Sequence, residues 1–307
     1  MPGRTLEALG LATVPLLEPL TYPGPPVPGP SLLAGDRLLP LRPAPGGVGR
    51  WRVAGDRTGG GPHTGLDAGL DTGLDRAQGP GPYEALDDVL DEALDDVLAS
   101  LGQAPAAERF PVLALGSNAA PGQLRHKLTR LGLPAVVPVT PAAVRGLGVG
   151  VSGHISRPGY VAAAPYADEA AESGLWVTWL DEQALRAVDG TEMPNYGRAL
   201  LPAAEFPARL PTGEQLPGTY VYFNARGILS GPDHRPLPHI PDQPALLTRL
   251  LAASPRLHDL LGPTPRHWVA RAAADAAARK AGTRIFREEG WLLPEPAFAA
   301  YATRGQT

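Results

Sequence analysis

Proline and glycine each occur 37 times in the 307 residues. That is about a quarter of the chain, well above what globular domains usually carry, so part of the load is expected in segments without regular structure. Residues 1–53 show the pattern first. PLLEPLTYPGPPVPGP and SLLAGDRLLPLRP are apolar runs that proline keeps breaking. Short extended pieces fit there, and an independent core does not. The segment reads as a Pro-rich extension that packs on the main domain or stays loose. Residues 54–82 read as a low-complexity linker built on GLDA-GLDT-GLDR. Glycine at every fourth position disfavours a helix by roughly 1 kcal/mol each. The repeated aspartates lack the close, turn-forming spacing and terminal bidentate carboxylate of a calcium loop.

Residues 83–109 hold the octads EALDDVLD and EALDDVLA back to back. Leu86, Val89, Leu90, Leu94, Val97, Leu98 and Leu101 recur at spacings of three and four, which predicts an amphipathic helix over 84–101 with one acidic face, stopped by Gly102. Its plain reading is a helix docked on its neighbour. Its functional reading is a contact surface for a protein partner.

From Phe110 the texture changes. PVLAL is a strand ending at Gly116-Ser117-Asn118, and a helix follows from Pro121 to Leu131. Strand-like pieces come next at 135–139, 148–156, 160–164 and 174–180, then a short helix over 181–188 capped by Asp181. Two more strands are expected at 196–200 and 218–224. Many short strands with brief helices predict a mixed, largely antiparallel sheet curling toward a barrel, an α/β (α+β) fold over 110–230. Residues 231–307 read as a helical C-terminal region. Asp242, Ser254-Pro255 and Thr264-Pro265 supply start signals, and Gly262 and Gly282 supply stops.

Composition excludes several functions. A formal charge of -4 points to neither nucleic acid nor an anionic membrane as partner. The chain has no cysteine, which removes disulfides, thiolate nucleophiles and cysteine zinc sites. Charged and proline residues interrupt the first twenty positions, so no signal peptide is expected, and no run reaches the ~20 apolar residues of a membrane span. A cytoplasmic protein is the expectation.

Two places carry candidate chemistry. The Gly116–Asn118 loop leads from a strand into a helix N-terminus, where backbone N–H groups without helical partners suit a carboxylate or an oxyanion. Glu192, in LRAVDGTEMPNYGR, sits between a helix and a strand and could act as general base and then general acid. Glu172 and Glu205 are rivals with weaker local settings. Ser117 lacks the G-x-S-x-G elbow of a hydrolase nucleophile. His234 and His239 lie in a proline-rich loop without a third metal ligand nearby. His154 reads as a core or edge residue. Trp176 and Trp179, at odd spacing in one strand, should face opposite sides. The arginines after Arg266 read as a solvated basic face.

In combination these motifs carry a resemblance. LALGSNAAPGQLR resembles the opening motif of γ-glutamylcyclotransferase-like proteins, with Pro121, Gln123 and Arg125 at the family's spacing. Some seventy residues later, Leu185, Val188, Asp189, Glu192 and Tyr196 match its helix, acid and tyrosine. The resemblance spans roughly 110–224. It implies a small mixed barrel-like sheet and a pocket at the Gly-Ser-Asn loop. It further implies cyclisation of a γ-glutamyl amide to 5-oxoproline, with Glu192 as the acid/base and no metal or organic cofactor. Leu115, Gly116, Ser117, Asn118 and Tyr196 would bind substrate. Leu115 stands where the family has tyrosine, and Met193 where it commonly has glycine. ALGSN also opens hydroxymethyl-dihydropterin pyrophosphokinase, but the paired aspartates that would hold its magnesium ions have no counterpart downstream. The alternative expectation is a non-catalytic binding or scaffold protein of the cyclotransferase-like fold.

Overall fold

The computed structural model describes residues 4–54, 83, 86, 91–192 and 195–303. The expected linker, but for Ala54, lies outside them, as do most of the first octad and Met193.

The architecture is mixed α/β, with a nine-stranded, mostly antiparallel sheet and seven α-helices among the described residues. Strands β1 (Ser31–Ala34), β2 (Arg37–Arg42) and β3 (Arg52–Val53) come from the N-terminal segment. They are followed by β4 (Phe110–Ala114), β5 (Val136–Val151), β6 (Ala163–Leu180), β7 (Tyr196–Pro202), β8 (Ala208–Arg209) and β9 (Gly218–Asn224). Their order is β3-β2-β1-β5-β6-β4-β9-β7, with β8 added to β5. β4 and β9 form the parallel pair. β7 and β3 end the path unpaired with each other, so the sheet does not close, and the expected barrel is corrected to an open, curled sheet. β8 pairs with β5 at Val144–Ala208, bringing the chain that leaves β7 back to the other part of the sheet.

The three strand-like pieces expected between 135 and 164 merge differently. β5 and β6 are 16 and 18 residues long and pair from Val139–Thr178 to Val151–Ala163. Three prolines lie inside them. Each falls where one flank is open: Pro138 before β6 joins, Pro141 between the β1 and β8 contacts, and Pro165 beyond the reach of β4. A missing N–H costs no ladder bond on an unpaired flank. Alternation along the strands feeds two cores. Leu113, Val177 and Trp179 enter one, and Val112, Trp176 and Leu180 the other, as the pleat requires.

The N-terminal segment is an integral part of this sheet. β1 lies between β2 and β5, with Leu33 opposite both Leu38 and Val137. Of the predicted helix over 84–101, residues 84, 85 and 87–90 lie outside the described residues, and the described part forms α1 (Leu94–Ser100). Asp91 has a φ of 70°, in the left-handed region. Its amide donates to Val53, and the Val53 amide donates to Glu92. The octad junction at Asp91 and Glu92 is thus spent on pairing with β3, and α1 begins at Leu94 within the second octad. Leu94, Val97 and Leu98 bury against Trp51 and Val53.

α2 (Pro121–Thr129) and α3 (Glu182–Glu192) cover the second core through Leu124, Leu128, Leu185 and Val188. The tail forms α4 (Gln243–Ala253), α5 (Pro255–Leu261), α6 (Pro265–Ala274) and α7 (Ala276–Glu288). Asp242, Ser254 and Thr264 each cap a helix by accepting from the expected amide. Gly282, by contrast, does not stop a helix. It lies inside α7, where a Cβ would come within 2.5 Å of Ile155, so glycine serves close packing against the β5–β6 connection. The third predicted helix breaks at Asp275 instead, which caps α7 by accepting from Ala277 and Ala278. No helix among the described residues is long and apolar enough to cross a membrane.

Candidate active site

The parallel strands β4 and β9 end on the same side of the sheet, where β7 and β6 begin. A cavity of about 450 Å³ opens there, within the range of small-molecule sites. It gathers Leu115, Gly116, Ser117, Asn118, Glu192 and Tyr196, so every expected site residue borders one space.

The local sequence explains how each arrives. β4 delivers Gly116 into a single 3-10 turn over Ser117–Ala119, and Pro121 opens α2 immediately after. α2 places Gln123 and Lys127 four residues apart on its inner face, both buried. Glu192 is the last residue of α3, which outruns the expected end at Val188 by one turn. Asp189 anchors that end. It pairs with Arg198 of β7 at 2.5 Å and accepts from the Tyr222 hydroxyl of β9 at 2.7 Å. Arg198 in turn lies over the Tyr220 ring. Glu192 therefore stands on a helix terminus tied to two strands, rather than on a free loop.

Its carboxylate is held from one side. Oε1 accepts from Lys127 Nζ at 2.7 Å and from Asn118 Nδ2 at 3.2 Å, while Lys127 Nζ also donates to Asn118 Oδ1 at 2.8 Å. Lys127 is 9% and Glu192 15% exposed, so this ion pair is largely withdrawn from solvent. Oε2 has no hydrogen bond among the described residues. A carboxylate fixed through one oxygen is oriented for proton transfer through the other.

No family model matches the chain, and no curated protein matches it. Two solution structures from Arabidopsis thaliana are similar. At3g28950.1 shares 14% identity at a TM-score of 0.32, covering 48% of this chain and 79% of that one. At5g39720.1 shares 14% identity at a TM-score of 0.31, covering 50% and 92%.

Several residues that line the cavity were not legible in advance. Tyr22, from the proline-broken N-terminal segment, is 4% exposed, and its hydroxyl accepts from the Ala163 amide at 2.8 Å. Its ring stacks on Tyr160 at 4.4 Å. The hydroxyl lies so close to Gly116 that a Cβ there would be 2.0 Å from it, which gives that glycine its structural reason. Leu115 turns toward the first core. A phenol therefore still reaches the loop, but from a segment more than ninety positions away. The segment is pinned where the Leu16 amide donates to Gln123 Oε1 at 2.9 Å. It presses on Gly122, where a Cβ would meet the Thr13 carbonyl at 2.6 Å.

The phenols of Tyr22, Tyr160, Tyr196 and Tyr222 are all pushed upward, by burial first, with the Glu192 charge adding to it. They remain neutral donors and acceptors, with Tyr222 donating to Asp189. Lys127 had a faint signal: it is one of only two lysines in the chain. Tyr22 had none, because a Pro-rich stretch offers no periodicity that points inward.

His154 borders the cavity on its other side and is 3% exposed. Burial, with the Arg226 charge adding to it, lowers its imidazole from 6.5 to about 4. The unfolded chain then binds a proton near pH 6.5 that the folded chain refuses until about pH 4. This contribution to stability is complete above pH 6.5 and is lost as pH falls through that window, on the order of 3 kcal/mol in all. Urea unfolding at several pH values should show the loss, and His154→Gln should make the slope shallower. Equal slopes for the two proteins would show that His154 titrates normally. His234 and His239 lie between the short strand Ile228–Leu229 and α4, and no metal-ligand cluster occurs among the described residues.

Proposed function

We propose that this protein cyclises a γ-glutamyl amide to 5-oxoproline and releases an amine. The observation that carries the reading is the meeting of Glu192 with the Gly116–Asn118 turn around one cavity, across 74 positions of sequence. The reaction needs few groups. The substrate α-amine, once deprotonated, attacks the γ-carbonyl carbon of the same molecule. A ring C–N bond forms, the amide C–N bond breaks, and the proton taken from the ammonium passes to the departing nitrogen. In this reading Glu192 accepts that proton on Oε2 and returns it. The turn amides and the Asn118 side chain supply donors for the substrate carboxylate or the developing oxyanion. Because the nucleophile is tethered to its electrophile, orientation within the cavity accounts for much of the rate. Lys127 keeps Glu192 in place and adds positive charge where the substrate carboxylate would enter. The Tyr22 hydroxyl lies against the same loop.

The direct test incubates the purified chain with a panel of γ-glutamyl amides and detects 5-oxoproline by mass. Release from at least one of them is the expected result. Absence of product across a panel of neutral, acidic and aromatic leaving amines would remove the proposal.

A further inference from the structure

One wall of the cavity at Glu192 comes from outside the stretch that begins at Phe110. Leu16 and Tyr22 line it, and both belong to the proline-broken N-terminal segment. That segment is attached on two sides. Towards α2, the Leu16 amide donates to Gln123 Oε1, and a Cβ on Gly122 would also meet the Leu11 carbonyl at 2.7 Å. Towards the helical tail, the 3-10 turn over Pro19–Thr21 lies against α4 and α6, and Leu20 packs on the core of that tail. Tyr22 follows this turn directly. Its ring is stacked on Tyr160 and stands edge-on to His239 at 6.2 Å. A side chain held on so many sides needs little ordering when a ligand arrives.

The hydroxyl of Tyr22 has one direction to spare. Its oxygen accepts from the Ala163 amide at 2.8 Å, and the Ser117 amide faces the same oxygen. Backbone N–H groups on the acceptor side polarise an O–H bond and make it a stronger donor. A phenol can donate one hydrogen bond besides those it accepts, yet this proton meets no acceptor among the described residues. Burial keeps the group protonated, so the donor is present at neutral pH. It stands at Gly116, at the edge of the cavity, and an oxygen held at the Gly116–Asn118 turn would complete its bonding.

We infer that the Tyr22 hydroxyl belongs to the substrate site and donates to an anionic oxygen of the ligand at that turn, either the carboxylate or the developing oxyanion. The identity of that oxygen rests on the cyclotransferase reading, whereas the placement of the hydroxyl does not. The Ser117 amide then acts on the ligand through the phenol, and the N-terminal segment is a working part of the site.

The test compares the full chain with Tyr22→Phe and Leu11→Ala. Tyr22→Phe keeps the stacked ring and removes the donor. Leu11→Ala loosens the same segment through the second core and keeps the hydroxyl. Both variants should unfold at a lower temperature than the parent, Tyr22→Phe because the buried Ala163 amide loses its acceptor. On an amide that the parent cyclises, Tyr22→Phe should lower kcat/KM by about tenfold to a hundredfold, the range of a hydrogen bond to a charged acceptor. Leu11→Ala should stay close to the parent. A loss carried by KM assigns the bond to the substrate carboxylate, one carried by kcat assigns it to the oxyanion, and either supports the inference. Equal losses in the two variants, or parental kinetics in Tyr22→Phe, would show that the hydroxyl makes no ligand contact, and the reaction would stand without it. If no amide is cyclised, calorimetric titration with 5-oxoproline reads the contact by itself. Binding weakened about tenfold or more in Tyr22→Phe and unchanged in Leu11→Ala keeps Tyr22 in the site while the reaction falls. Equal binding by all three proteins, or none by the parent, removes the inference as well.

Discussion

Glu192→Gln is expected to lower 5-oxoproline release by about a hundredfold to ten-thousandfold in kcat, the range that a positioned acid/base contributes. The substitution is close to isosteric. The amide oxygen can take the place of Oε1 and still accept from Lys127 and Asn118, which hold the carboxylate at 2.7 and 3.2 Å. What disappears is the ability to accept a proton and return it. The tether of Asp189 to Arg198 and Tyr222 is untouched, so the end of α3 keeps its position. The substitution does leave Lys127 without its counter-ion in a largely buried setting, and a moderate fall in unfolding temperature is expected. Steady-state rates on a cyclised amide, read beside thermal unfolding, separate the two effects. A variant that unfolds like the parent and has lost its rate supports the assigned role. A variant with parental kcat would show that proton transfer passes through another group, and the proposed mechanism would be abandoned.

Leu33→Ala should destabilise the fold by about 2–5 kcal/mol, as other fully buried leucines do when truncated. Leu33 is 0% exposed and lies between Leu38 and Val137 in the ladder. Its side chain joins the core that carries α2 and α3, and through them Lys127 and Glu192. Against a total stability of about 5–15 kcal/mol, such a loss is a large share. Leu17 offers the control, because it belongs to the same N-terminal segment and is 63% exposed. Leu17→Ala is expected to change stability by no more than about 0.5 kcal/mol. The shift in urea midpoint at constant slope measures both. If Leu33→Ala leaves the midpoint unmoved, the N-terminal strands are not part of the cooperative unit.

The two lengths of chain that most affect the site were legible to different degrees. Gly116, Ser117 and Asn118 could be found because a strand ending in Gly-Ser-Asn before a proline-led helix is a local event. The caps Asp242, Ser254 and Thr264 were legible for the same reason, since each acts within three residues of itself. Trp176 and Trp179 fall in opposite cores, as an odd spacing in one strand dictates. Within the second octad α1 begins only at Leu94, because Asp91 and Glu92 pair with β3. The long β5 and β6 are expected from sequence only as shorter pieces, and the three prolines inside them each lie on a flank that the tertiary arrangement leaves open.

Sequence by itself determined the local chemistry: which stretches turn, which cap a helix, and which residue types could take and give a proton. The tertiary structure alone decided that Tyr22 reaches Gly116 and that Lys127 faces Glu192. Those meetings join positions 65 to more than 90 residues apart. Contacts of that range are set by packing of the whole chain, and local propensity and periodicity carry no record of them.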